Sequence, residues 1–502
     1  MRASVLGMLL VCSLASCSKS NDIDVAADDP CASSDAGPGA TVCDESCVDT
    51  QVSSAHCGAC DNPCPAGGVC TAGTCECPSP LALCANACVD TTADSNHCGG
   101  CNASCPTERV CNGGECGCAL GKKLCGNACV DVQNDPNHCG ECDFACGGPC
   151  ALGACQQIMD VAPGGNDICA SVSGRIWCLG QGGRREIALP IFPSSVAAGL
   201  DHFCAGDVSE GLYCWGDNSR GQIGAGLAAT TLFEAAKVPF PAGQSPELFS
   251  LGAFHSCAFL EDDQDGSPLR VHCWGANDSM QSGSAQQDDV DVPTRVENTD
   301  SAPGVWHALA VGSRHGCALL GDARVVCWGD NTLGELGQGG TSPASSHVAL
   351  EVTNPDSFTT NPRAVAVGLG FSCWLDSQGG VRCWGTSRGT GSESPLLQPT
   401  LVQGLPSKAT EVVASSGHAC ARVEGGKVYC WGESDDGASG SLDPSTTPKE
   451  IAGLSDVTAV RTGIVNSCAI LASGTVRCWG TNSHQALDSS DSKTTTPTAL
   501  RW

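Results

Sequence analysis

The chain has 502 residues, of which 40 are cysteine and 63 glycine, and a formal net charge of −29. That length exceeds one ordinary core, so two or three domains are expected. So many cysteines exclude a reducing compartment, where thiols are not paired as a matter of course. Only 25 Lys and Arg stand against 54 Asp and Glu, and they form no basic run. This excludes nucleic acid as a partner, because its binding is driven by cations that neutralise phosphates.

In chain order, Arg2 gives a short positive start, and Val5 to Leu14 is an apolar stretch too short to span a bilayer. It ends in Leu14-Ala15-Ser16-Cys17, which resembles a bacterial lipobox. The resemblance implies that residues 1–16 are a lipoprotein signal peptide and that Cys17 is the lipidated first residue of the mature chain. Several acyl chains on one residue supply the multiple anchors that stable membrane attachment requires. Ser18, where an aspartate would imply otherwise, points by the same resemblance to the outer membrane, on its periplasmic or cell-surface face. Residues 17–30 read as a lipidated tether, polar and acidic through Asp22, Asp24, Asp28 and Asp29.

Residues 31–157 repeat in cysteine. Cys43, Cys84 and Cys125 recur every 41 residues, and each opens the same pattern. The first unit reads Cys43-x3-Cys47-Val48-Asp49, then Cys57-Gly58-x-Cys60-x3-Cys64. Units this short bury too little apolar surface to fold unaided, so crosslinks are expected to hold them. Each unit also carries a histidine before its Cys-Gly-x-Cys run (His56, His97, His138), which offers half of a zinc site as a rival. With Cys31 the region holds 24 cysteines, an even number, and eight per full unit is twice what one zinc needs. Disulfides are therefore the reading, with their connectivity left open. The spacing resembles the stigma-specific cysteine-rich family, a resemblance that implies a spacer without activity.

From residue 158 the rhythm changes. Cys-Trp-Gly occurs at Cys214, Cys273, Cys327, Cys383, Cys430 and Cys478, with a degenerate copy at Trp177-Cys178-Leu179-Gly180. Each has an upstream partner: Cys169, Cys204, Cys257, Cys317, Cys373, Cys420 and Cys468. Around the fourth pair, Cys317-Ala318-Leu319-Leu320, the turn Gly321-Asp322-Ala323 and Arg324-Val325-Val326-Cys327 read as strand, tight turn, strand. Folding there sets Cys317 opposite Cys327, within reach of a disulfide, so seven such local pairs are expected. Two repeats continue as Trp215-Gly216-Asp217-Asn218-x2-Gly221-x-Ile223-Gly224 and Trp328-Gly329-Asp330-Asn331-x2-Gly334-x-Leu336-Gly337. This pattern, over residues 158–502, resembles the regulator of chromosome condensation repeat. The resemblance implies an all-β, seven-bladed β-propeller of four-stranded blades, here preceded by small disulfide-rich repeats. The first repeat is short, and the tail Pro497 to Trp502 is expected to complete its blade, closing the ring by pairing two edges.

Three groups of residues could carry chemistry. His202, His255, His315 and His418 each precede a blade's first cysteine by two residues, where other blades have Asp167, Phe371 and Asn466. Equivalent positions on separate blades favour packing and turn anchoring over a shared metal. The third hairpin carries Glu261-Asp262-Asp263-Gln264-Asp265-Gly266, which approaches a calcium loop, with Glu261, Asp263 and Asp265 as candidate ligands but His272 at the twelfth position. No nucleophile elbow, phosphate loop or zinc-protease helix occurs, so neither an enzyme nor a cofactor other than calcium is expected. The long segments near 226–250, 279–305 and 339–363 come from consecutive blades and include Phe233, Phe240 and Phe358, the candidate binding residues. The expected function is a membrane-anchored binding scaffold for a protein or glycan. The family resemblance adds two alternatives, inhibition of an extracellular enzyme and guanine-nucleotide exchange.

Overall fold

The computed structural model describes Cys31 and residues 39–502, apart from 147–148, 208–209, 228–229, 242–243, 263–268, 302–306, 354–360 and 434. The chain divides into two compact units, one ending at Cys129 and the other running from Val130 to Trp502.

The first unit is a series of two-stranded hairpins of three to four residues per strand, such as Ala40–Cys43 with Ser46–Asp49. Hairpins of this length are not stable alone, and disulfides replace the missing core. In one repeat Cys43 bonds Cys60, Cys57 bonds Cys70 and Cys64 bonds Cys75. The next repeat uses the same pattern at Cys84–Cys101, Cys98–Cys111 and Cys105–Cys116. Cys77–Cys88 and Cys118–Cys129 tie the last cysteine of one repeat to the second of the next. Cys31–Cys47 plays that part at the start, which explains why a lone cysteine precedes the first repeat. Closing loops of 11 to 17 residues stabilises by about 2–3 kcal/mol each. The histidines are turn anchors: Nδ1 of His56, His97 and His138 accepts the backbone N–H of Asp61, Asn102 and Asp143, each at 3.0 Å.

The second unit holds the end of the third cysteine repeat, with Cys139–Cys150 and Cys146–Cys155, and then seven four-stranded antiparallel sheets in sequential strand order. The blades span Ile158–Ile187, Ser195–Lys237, Gln244–Arg295, Ala308–Glu351, Pro362–Leu401, Ala409–Glu450 and Val457–Ala499. First strands line a central channel of about 400 Å³. Second and third strands are buried on both faces, as in His315–Leu319 and Val325–Asp330, so they lack polar alternation. Fourth strands form the rim and carry the polar residues. Four of them place a proline at one equivalent position, Pro293, Pro399, Pro448 and Pro497, each within a register shift opposite the third strand. Proline there removes a donor from an open edge and discourages pairing with another chain.

The blade cysteines are direct cross-strand partners: Cys169–Cys178, Cys204–Cys214, Cys257–Cys273, Cys317–Cys327, Cys373–Cys383, Cys420–Cys430 and Cys468–Cys478. Their Cα atoms lie 4.0–4.1 Å apart, the close approach of a non-hydrogen-bonded antiparallel pair.

The ring closes differently from the expectation. Lys493–Ala499 is the fourth strand of the seventh blade, pairing only with Val476–Thr481, and the first blade builds all four of its own strands. No strand is exchanged. Closure rests on packing, with Ile158, Val161 and Leu179 of the first blade in one cluster with Ile470, Leu487 and Leu500 of the seventh. The tail was misread because the short first repeat suggested a missing strand. It is short because a tight turn, residues 181–182, joins its third and fourth strands.

Non-reducing peptide mapping is expected to recover the seven within-blade pairs. Cysteines linked between blades, or free thiols in stoichiometric amount, would contradict the register.

Candidate binding surfaces of the ring

The repeat motif is a joint between blades. After Trp-Gly, the asparagine folds the loop back on itself: Oδ1 of Asn218, Asn277, Asn331 and Asn482 accepts the backbone N–H five residues on, at 2.9–3.1 Å. In the second, third and fourth blades this turn presents a carbonyl to the next blade, and in the fifth and sixth a turn without the asparagine does so. Gln222, Gln281, Glu335, Gly389 and Ala438 accept the indole N–H of Trp274, Trp328, Trp384, Trp431 and Trp479 at 2.7–3.0 Å. These tryptophans are fully buried, so an unpaired indole donor would be costly. Gly224 is required in this turn: its φ is +73°, and a Cβ would strike the Trp274 ring.

The histidines add a second bond to the same joint. His202, His315 and His418 reach across to Ser256, Ser372 and Ser467 of following blades at 2.8–2.9 Å. Each serine hydroxyl donates onward to a carbonyl, that of Gln222, Glu335 or Ala438. The imidazole therefore donates through Nε2–H and is neutral. His255 meets Gly316 at the serine position, and its ring nitrogens have no partner among the described residues. Burial pushes His202 and His255 down to about 3, and His315 and His418 to about 4.

One position of the channel wall is small or apolar in every blade but the seventh. Opposite each blade's first cysteine stands Ala162, Ala197, Ser250, Ala310, Ala366, Val413 or Arg461. Arg461 donates to Asp160 of the first blade at 3.0 Å and to Glu411 of the sixth at 3.3 Å. Asp160 also accepts the N–H of Val196 in the second blade. One guanidinium thus braces the closure, and the sequence signal was a lone arginine in a column of small residues.

The first blade lacks both halves of the joint. Leu179 replaces its tryptophan, and residues 181–182 replace the loop that spans 218–230 in the second blade. Trp215 consequently has no acceptor for its buried indole N–H among the described residues. Phe203, in the serine position, stacks on it at 5.9 Å. Where the loop would lie there is a notch of about 280 Å³, lined by Leu232, Phe233 and Phe203 with Asp167, Asp201, Asp217, Arg185 and His484. Burial, then the neighbouring Asp217 and Asp167 carboxylates, raise Asp201 above the ordinary carboxylate range.

Of the residues singled out from sequence, Phe233 is 77 % exposed at this notch. Phe240 instead packs partly buried, edge-on to Trp274 at 6.1 Å. Phe358, Cys17, Asp263, Asp265 and the side chain of Glu261 lie outside the described residues.

Three stretches, residues 194–222, 306–335 and 409–438, match the regulator of chromosome condensation (RCC1) repeat, and each ends on an acceptor carbonyl, Gln222, Glu335 or Ala438. The second, fourth and sixth blades thus carry segments that match the RCC1 repeat. Among curated relatives, the human E3 ubiquitin-protein ligase HERC2 is 28% identical over 295 residues, 55% of this chain but 6% of its own length. The ultraviolet-B receptor UVR8 of Arabidopsis thaliana is 26% identical over 294 residues, 55% of this chain and 63% of its own. The chain thus spans less than two thirds of these relatives. Human WBSCR16 shares the fold at a TM-score of 0.53 and 20% identity, over 63% of this chain and 88% of that one. Saccharomyces cerevisiae Prp20p does so at 0.51 and 20%, over 60% and 80%.

Two pH effects follow from the RCC1 joints. A histidine whose folded pKa is depressed leaves more protons on the unfolded chain, so its contribution is whole above pH 6.5 and falls as pH drops toward about 4. The melting temperature is expected to decline over that window, and His418→Gln to shrink the decline; an unchanged slope would remove the histidines as its cause. Glu335 has the opposite sign. Burial raises it to about 7, so its stabilising contribution, full below the unfolded value of 4.5, is lost as pH rises through 7. Its equivalents are Gln222 and Gln281, and Glu335→Gln should raise the melting temperature at pH 8 with little change at pH 5.

Proposed function

We propose that the chain is an exported, lipid-anchored binding scaffold that presents its propeller outside the cytoplasm to a protein partner. The observation that carries the reading is how the ring spends its polar groups. The buried histidines His202, His315 and His418, the indoles and the Arg461 cluster are engaged in holding blade to blade. What varies is the segment between the third and fourth strands, from residues 181–182 in the first blade to 331–344 in the fourth. Recognition on a rigid frame resides in such segments. Prp20p is described for its binding to Gsp1p and histones, and yeast RCC1 (Prp20) in complex with Kap60, which supports protein recognition by this kind of ring. Neither partner class suits a chain with a net charge of −29, a lipobox and 40 cysteines, so a partner outside the cytoplasm is the reading. An enzymatic role has no support in the motifs, and calcium at Asp263 and Asp265 rests on sequence alone.

The anchor and the scaffold are tested separately. Cys17→Ala is expected to move the protein from detergent phase to aqueous phase; unchanged partitioning sinks the anchor. Full-length protein crosslinked in membranes should yield a discrete partner that survives washing at moderate salt, whereas its absence in repeated captures counts against a scaffold.

A further inference from the structure

The notch between the first and second blades occupies the position that the RCC1 loop fills at other joints. Opposite the glycine after the blade tryptophan stand Leu232, Val290, Ser346, Leu396, Ser445 and Thr494 in the second to seventh blades. At the third, fifth and seventh blades the loop of the preceding blade lies on this position or the residue that follows. A Cβ on Gly221 would meet Val290 and Asp291, one on Gly334 would meet Leu397, and one on Gly437 would meet Thr494 and Thr495. The backbone joins in, with Gly226 N–H donating to Asp291 and Gly339 N–H to Leu397, both at 3.0 Å. At the second blade the corresponding residues are Leu232 and Phe233, and no loop covers them.

The structure assigns this notch as a docking slot for a glycine turn of a partner protein, of the form basic residue–Gly–x–aliphatic–Gly, copying the turn the protein uses between its own blades. Three observations specify the occupant. Leu232 and the exposed ring of Phe233 offer apolar surface in the notch, with the buried Phe203 in its wall. Trp215 holds a buried N–H without an acceptor among the described residues, whereas its counterparts in the five following blades all donate to a turn carbonyl. The charge is complementary: in the second-blade loop Arg220 pairs with Asp289 through two nitrogens at 2.5 and 2.7 Å, and the notch offers Asp201 and Asp217. His484 already engages Asp167 at 2.9 Å, and Asp217 accepts from Ser219 and Gln222, so Asp201 is the carboxylate that meets an incoming cation.

This inference rests on the scaffold reading, and its test separates the two. The probe is the peptide Ser-Arg-Gly-Gln-Ile-Gly-Ala-Gly, copying residues 219–226, titrated into the disulfide-intact full chain by calorimetry. Binding at one site per chain is expected, since the other joints hold their own loops. It should weaken about tenfold with Leu232→Asp, and about as much when glutamate replaces the peptide's arginine. Replacing residues 181–182 with 218–230 should fill the slot and abolish binding while raising the melting temperature, which also reports that the graft folds. No binding at millimolar peptide, or equal binding to the grafted chain, overturns the slot. If a membrane partner is captured equally by wild-type and grafted chains, the slot fails and the scaffold stands.

Discussion

A single backbone carbonyl per joint governs this ring. It sits in the turn after each Cys-Trp-Gly, and it must meet a buried indole N–H from the following blade. Leaving such a donor without an acceptor costs about 1–3 kcal/mol, so everything that aims the carbonyl is constrained with it. Asparagine closes the loop, glycine allows the left-handed turn against the indole ring, and the aliphatic residue between the glycines anchors it in the core. Where both are present, serine donates to the same carbonyl and histidine donates to the serine. The family pattern is thus a list of the parts of one hydrogen-bonded joint.

The joint repeats until the first blade, where neither donor nor acceptor exists. Closure is carried there by other means: Arg461 spanning to Asp160 and Glu411, Ser483 on Asn166, His484 on Asp167, and an apolar cluster shared by the end blades. A buried ion pair is a weaker guarantee of stability than packing, because desolvation offsets much of the attraction. At 37 % side-chain exposure Arg461 remains partly hydrated, which lowers that cost. The same omission that leaves the closure irregular also leaves surface open beside it.

Much of the architecture was legible because the repeats put chemistry at fixed spacing. Cys317 and Cys327 flank a turn, and antiparallel geometry alone sets them opposite each other. The stalk pairing was not legible, since cysteines eight to a unit allow many connectivities, and only folded hairpins select Cys57–Cys70 over its neighbours. Arg461 carried a signal that emerges only when blades are aligned by register, which requires knowing the bulges in the first strands. Phe233 and Phe240 look alike in sequence, yet one is exposed and one packs on Trp274, because the outer strand ends between them. The tail was misplaced for a related reason: a strand opened by a lysine and rich in threonine looks like a terminus until its partner, Val476–Thr481, is known.

Covalent and hydrogen-bonded constraints divide the work. All seven blade disulfides join adjacent strands of one sheet, close in sequence. They restrict the unfolded chain over short loops but do not connect one blade to the next. Cohesion between blades comes from the carbonyl–indole bonds and from packing. This division has a consequence for recovery, since a blade that opens at its joint is still held as a hairpin and keeps the same register. It also frees the loops between third and fourth strands from covalent restraint. Those loops need only deliver one carbonyl to the next blade, and beyond that their length and surface are unconstrained. These loops are the part of the repeat that the fold does not fix, and the repeat pattern by itself does not name a ligand.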